Sequence, residues 1–181
     1  MPNHRLIVGL GNPESRYQYT RHNSGFLWVQ SFAAAANFPD FTLVPKFKAQ
    51  LTRATLGDSD VLLAQPQTYM NASGDAVQAL VHYYRLDPAT DLLVVFDDLD
   101  LPFGQFKFTT HPPRTHNGLY DIKNKLDTPE FQLLRLGVDD RGGDRRIPAI
   151  DYVLTNFSPA QLSQLETDIF PATREAVHPW L

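Results

Sequence analysis

The stretch LIVGLGNPES, residues 6–15, decides how the chain begins to fold. An apolar run ending in Gly-x-Gly reads as a strand feeding a tight turn. A dinucleotide-binding loop would need a third glycine three residues after the second, where helix and strand pack closely. That position is Glu14, preceded by Pro13. A carboxylate at a helix N-terminus repels a pyrophosphate rather than cradling it. The loop is therefore read as having another use, and Asn12 is the residue it presents.

Working outward, further apolar runs at 49–56, 61–65, 92–96, 104–108 and 132–138 read as strands beside 5–9. Helical patterns alternate with them, at 22–36, from about Ala72, and after Asn117, where Leu119, Ile122 and Leu126 share a face. Ser158-Pro159-Ala160-Gln161 is a capping box with proline at the first helical position, so a helix runs through the 160s. Pro171 is expected to break it. This order predicts an α/β protein with a twisted mixed β-sheet between two helical layers. The stretch 139–148, DDRGGDRRIP, reads as a loop.

Composition narrows the function. The 181 residues are 43% hydrophobic, enough for one buried core and one domain spanning 1–181. No apolar run nears the roughly 18 residues of a membrane helix, and the N-terminal residues lack the apolar centre of a secretion signal. A cytoplasmic location with no membrane partner is the expectation. The absence of cysteine excludes disulfides, thiolate metal sites and a cysteine nucleophile. The net charge of −4 argues against nucleic acid, but eight of the sixteen Lys and Arg fall within 107–146, against six acids.

The polar residues at strand-to-helix junctions carry the chemistry. Asn12 follows the first strand, His22 opens the first helix, Asn71 leads into the second, Asp97 ends an apolar strand, and His116 and Asn117 open the third helix. Sites in α/β sheets form outside the carboxyl ends of strands, so these segments converge on one edge. Any one asparagine alone fits a helix cap. As a set, one His, one strand-end Asp and three amides suit water-mediated acyl transfer. A neutral imidazole takes a proton from water, a carboxylate fixes its tautomer, and amides donate to the oxyanion. No Gly-x-Ser-x-Gly elbow, His-Glu-x-x-His pair or P-loop is present. His111 and His116 are separated by two prolines rather than a helical turn, so no metal site is read there.

At these residues the sequence resembles the bacterial-type peptidyl-tRNA hydrolases, through LIVGLGNP, the Tyr17–Phe26 motif YxxTRHNSGF, PQTYMNASG, FDDLDLPFG and HNGLYDI. The resemblance implies cleavage of the ester joining a peptide to the 3′ ribose of tRNA, by a monomeric three-layer α/β/α domain without cofactor or metal. His22 would be the general base, Asp97 would hold it in its basic form, and Asn12 would sense the peptide's first carbonyl. Tyr17, Tyr69, Asn71, Asn117 and His116 would line the path of tRNA end and peptide. Lys107 and Arg135 would face phosphates. The sequence departs from the family pattern at Glu14, where glycine is usual, at Thr109, where a second cation is common, and in the Pro-rich approach to His116. It also ends at Leu181, before the usual tail. The alternatives are a non-catalytic RNA-binding module on the same scaffold, as in related chloroplast splicing factors, and an esterase for small N-acyl esters.

Overall fold

The computed structural model describes residues 3–181. Its centre is one seven-stranded sheet in the order β2-β3-β4-β1-β5-β7-β6. The strands are β1 (Asn3–Gly9), β2 (Thr42–Val44), β3 (Ala49–Leu56), β4 (Ser59–Pro66), β5 (Leu92–Pro102), β6 (Phe106–Thr109) and β7 (Gln132–Asp139). β4, β1, β5 and β7 run parallel, while β2, β3 and β6 pair antiparallel at the two margins. The helices are α1 (Ser24–Ala35), α2 (Ser73–Tyr84), α3 (Pro88–Asp91), α4 (Asn117–Leu126), α5 (Ala149–Tyr152), α6 (Pro159–Gln164) and α7 (Phe170–Val177).

The period-two alternation of the central strands builds two cores. Leu6 and Val8 face a cluster with Val77, Leu80, Leu119 and Ile122 of α2 and α4. Ile7 faces the opposite cluster with Trp28 and Val29 of α1 and Phe170 and Val177 of α7. The expected three-layer α/β arrangement with a mixed sheet is therefore the observed one.

Two local expectations are corrected. β2 lies in a stretch not read as a strand, because it has three mostly exposed residues at the sheet margin and no apolar run. Pro171 does not end its helix. α6 passes through a wider π-helical turn, Leu165–Ile169, directly into α7. That widening accommodates a residue with no N–H and a ring that would meet the carbonyl of the preceding turn. The capping box at Ser158 forms as read, with Gln161 N–H donating to Ser158 Oγ at 3.2 Å and Ser158 N–H to Gln161 Oε1 at 2.9 Å.

The glycines of the first motif serve close approach. A Cβ on Gly9 would lie 2.2 Å from the Gly25 carbonyl oxygen, and one on Gly25 would lie 2.3 Å from that of Val95. The end of β1 and the start of α1 thus touch backbone to backbone, where a dinucleotide-binding loop would place a phosphate.

Candidate active site

The carboxyl ends of the parallel strands bring the predicted residues to one edge. Asp97 lies in β5, buried, and accepts two imidazoles. His22 Nδ1 is 2.9 and 3.0 Å from its two oxygens, and His116 Nε2 is 3.0 Å from Oδ1. The proton positions follow from the remaining contacts. Leu119 N–H donates to His116 Nδ1 at 3.3 Å, so that nitrogen is an acceptor and Nε2 carries the proton toward Asp97. His116 is thereby the N-cap of α4 and commits both nitrogens to the protein. His22 donates Nδ1–H to the carboxylate, and its Nε2, without a partner among the described residues, is left as the acceptor.

Burial alone would push the His22 imidazole down, but the Asp97 carboxylate outweighs it and holds its pKa above the ordinary histidine value. Burial would likewise lift the Asp97 carboxyl. The charges and hydrogen bonds of His22 and His116 hold it well below the usual carboxylate range instead. The result is a permanent anion beside a strengthened base.

Asn12 is fixed just as firmly. Met70 N–H donates to its Oδ1 at 2.9 Å, which leaves the Asn12 NH₂ as the free donor. Its backbone is held by Asn23, whose Oδ1 accepts from Asn12 N–H and whose Nδ2 donates to the Asn12 carbonyl, each at 2.9 Å. Asn23 was missed in the sequence, although it directly follows His22. So was Arg21, whose buried guanidinium stacks 4.5 Å from the Tyr152 ring and donates to Thr155 Oγ1 at 2.7 Å. Together with the His22 N–H to Val153 carbonyl bond of 2.8 Å, this fastens the 152–157 segment over the histidine.

Two contiguous cavities open at this edge. One of about 230 Å³ is lined by His22, Asp97, His116, Asn117, Leu99 and Ile150. The next, of about 210 Å³, is lined by Asn12, His22, Tyr69, Asn71, Asn117 and Ile150. None of the three asparagines is an N-cap. Asn12 sits in a loop, Asn71 in a 3₁₀ turn, and Asn117 one position after the capping His116.

Other expectations are corrected by contacts. Tyr17 lines neither cavity and instead lies under the Arg16 guanidinium at 4.7 Å. His116 lines the cleft as expected, and with a side chain only 4% exposed it also supports Asp97. Arg135 does not face solvent. Its Nε donates to Asp98 Oδ2 at 2.6 Å and its Nη1 to the His111 carbonyl at 3.1 Å. Asp98 precedes a turn of strand where successive side chains point to opposite faces, so Asp97 and Asp98 are neutralised separately. Arg135→Ala should therefore act on stability. Leaving Asp98 buried and unpaired should cost about 3–5 kcal/mol, read by chemical denaturation, and Asp98→Asn in that background should restore part of it.

The basic span is largely self-neutralised. Arg141 and Arg145 pair with Asp139, Arg146 with Asp144, and Lys125 with Asp75 and Asp121. Lys107, Arg114 and Lys123 form no ion pair among the described residues. His22, Asp97 and His116 also place ligating atoms within 4.8 Å of one another. A metal bound there would displace the protons the two imidazoles share with the carboxylate.

The peptidyl-tRNA hydrolase family model matches residues 6–181. A peptidyl-tRNA hydrolase of Chloroflexus aurantiacus is 44% identical over 162 residues, covering 88% of this chain and 84% of that one. One from Lactiplantibacillus plantarum is 39% identical over 178 residues, covering 98% and 92%. The crystal structure of the Acinetobacter baumannii peptidyl-tRNA hydrolase superposes with a TM-score of 0.79 at 32% identity, covering 99% and 95%. The chain belongs to the peptidyl-tRNA hydrolase family.

Proposed function

We propose that this enzyme hydrolyses the ester between peptide and tRNA, with His22 as general base. The observation that carries the assignment of roles is the His116–Asp97–His22 chain, which leaves one basic nitrogen, His22 Nε2, at the cleft. That nitrogen takes a proton from water as the water oxygen attacks the ester carbonyl carbon. Asp97 stabilises the imidazolium that forms. The NH₂ of Asn12 donates to a peptide carbonyl, and Asn71 and Asn117, both at the cleft, supply donors for the oxyanion. As the tetrahedral intermediate collapses, the proton on His22 passes to the departing ribose oxygen. In this reading the protein works as a cytoplasmic monomer. Among the described residues no helix is long and apolar enough to cross a membrane. No metal takes part, so incubation with a strong chelator should leave the rate unchanged.

The test is a comparison of peptidyl-tRNA with a short peptidyl-nucleotide ester. Cleavage of both, with preference for tRNA, supports the reading. Binding without cleavage supports the RNA-binding module, and equal cleavage supports the small-ester esterase.

The tRNA grip should be weak in charge. With Lys107, Arg114 and Lys123 unpaired, about two or three phosphates are neutralised, giving a salt slope of roughly −2 to −3. Lys107→Ala should flatten that slope by about one unit, measured by titration of tRNA binding at several salt concentrations. Arg135→Ala, if folded, should not flatten it.

A further inference from the structure

Asn12 also borders a third cavity of about 240 Å³, whose lining includes neither His22 nor Asp97. It stands over β3, β4 and the start of α1, and seven carboxamide residues line it, among them Asn12, Asn23, Gln30, Gln50, Gln65 and Gln67. Asn12 also lines the cleft that holds His22, so the two spaces meet at its side chain. We propose that this cavity is a nucleobase subsite, which receives one base of the single-stranded 3′ end of the RNA while the ester lies at His22. The inference rests on the reading of the substrate given above.

The chemistry of the wall selects the ligand. No Lys, Arg or His lines the cavity, and Glu14 stands at its rim. A phosphate entering it would meet a carboxylate and no counter-charge. Carboxamides carry donors and acceptors side by side and match the edges of bases. Gln65 Nε2 is held by the Phe26 carbonyl and Gln67 Nε2 by the Gln65 carbonyl, each at 3.2 Å, which leaves their oxygens as acceptors. Gln30 and Gln50 side chains form no hydrogen bond among the described residues and offer both. The space exceeds the roughly 150 Å³ that suffices for a benzene ring.

The substrate has a constant part and a variable part. A pocket lined by seven amides discriminates, because a ligand that leaves their free donors and acceptors unpaired is penalised. It therefore suits the nucleotides, which are the same in every tRNA. The cleft on the other side of Asn12, with Leu99, Ile150 and Val153, is more apolar and suits peptides of any sequence. Outside the rim, Arg16 has a side chain 66% exposed and paired only with Glu14, within reach of the adjoining phosphate. Tyr69 is 55% exposed and its hydroxyl donates to Glu14, which stations the ring between cleft and cavity as a stacking surface.

The test uses the full chain carrying His22→Ala, so that binding is read without turnover. Side-chain amide and methyl resonances are followed by NMR during addition of the trinucleotide CCA, the sequence that ends tRNA, or of an N-acetyl dipeptide amide. CCA should shift the Gln30, Gln50 and Gln67 amides, and the dipeptide should leave them in place while shifting Ile150 and Val153. Glutamine amides that respond to the dipeptide, or stay still with CCA, would overturn the proposal. Gln50→Leu, at a half-buried position, should raise KM for a peptidyl-CCA ester roughly three- to tenfold rather than lower kcat, the effect of one neutral hydrogen bond. An unchanged KM also counts against it. Cleavage of peptidyl-tRNA without these shifts would remove the subsite alone. Shifts without cleavage would remove the hydrolase reading alone.

Discussion

His22→Ala should turn over peptidyl-tRNA roughly 10²- to 10⁴-fold more slowly while binding tRNA with near-normal affinity. That range is the usual worth of a positioned general base. Binding survives because the imidazole, held by Asp97 at Nδ1, acts on water at the cleft rather than on phosphates. Single-turnover kinetics beside a tRNA titration separate the two effects. A folded variant with a near-normal rate would remove His22 from its role. His116 could not replace it without first releasing both the Leu119 N–H and Asp97.

Asp97→Asn should lower kcat/KM by roughly 10²-fold or more, since the imidazolium loses its anion. The pH profile gives the more specific readout. His22 must be neutral to act, so the rate of the parent enzyme falls as pH drops through a His22 pKa that Asp97 has raised above its ordinary value. In the variant the burial remains and the raising charge is gone. The His22 pKa therefore falls and the acidic limb moves to lower pH. NMR titration of His22 in both proteins checks the direction. An unchanged or higher pKa in the variant would contradict the pairing.

The parts legible in the sequence were those governed by local pattern. Strand ends rich in apolar residues placed Asp97, capping signals placed the helix starts, and the rule that sites form beyond strand ends placed His22, Asn12, Asn71 and Asn117 on one edge. What escaped was pairing across the sheet. The resemblance set Arg135 toward phosphates, whereas its partner, Asp98, lies 37 residues away and beside Asp97. Strand alternation already implied that the two aspartates face opposite ways. The support that His116 gives Asp97 also escaped, because its contact with the Leu119 N–H depends on where α4 begins. The 3₁₀ turn before α2 also holds Asn71 away from the cap position, and His116 takes that position ahead of Asn117.

The Gly9–Gly25 contact has a further consequence. Gly9 stands three residues before Asn12, and Gly25 three residues after His22. The two glycines are thus a fixed joint from which equal short arms reach the donor and the base. The spacing of the two groups is gauged by bare backbone thickness at the joint, with no side chain whose rotation could vary it. Since a shift of about 1 Å at a reacting group can cost 10²-fold in rate, this joint is where the tolerance of the whole site is set, buried behind the surface the substrate touches.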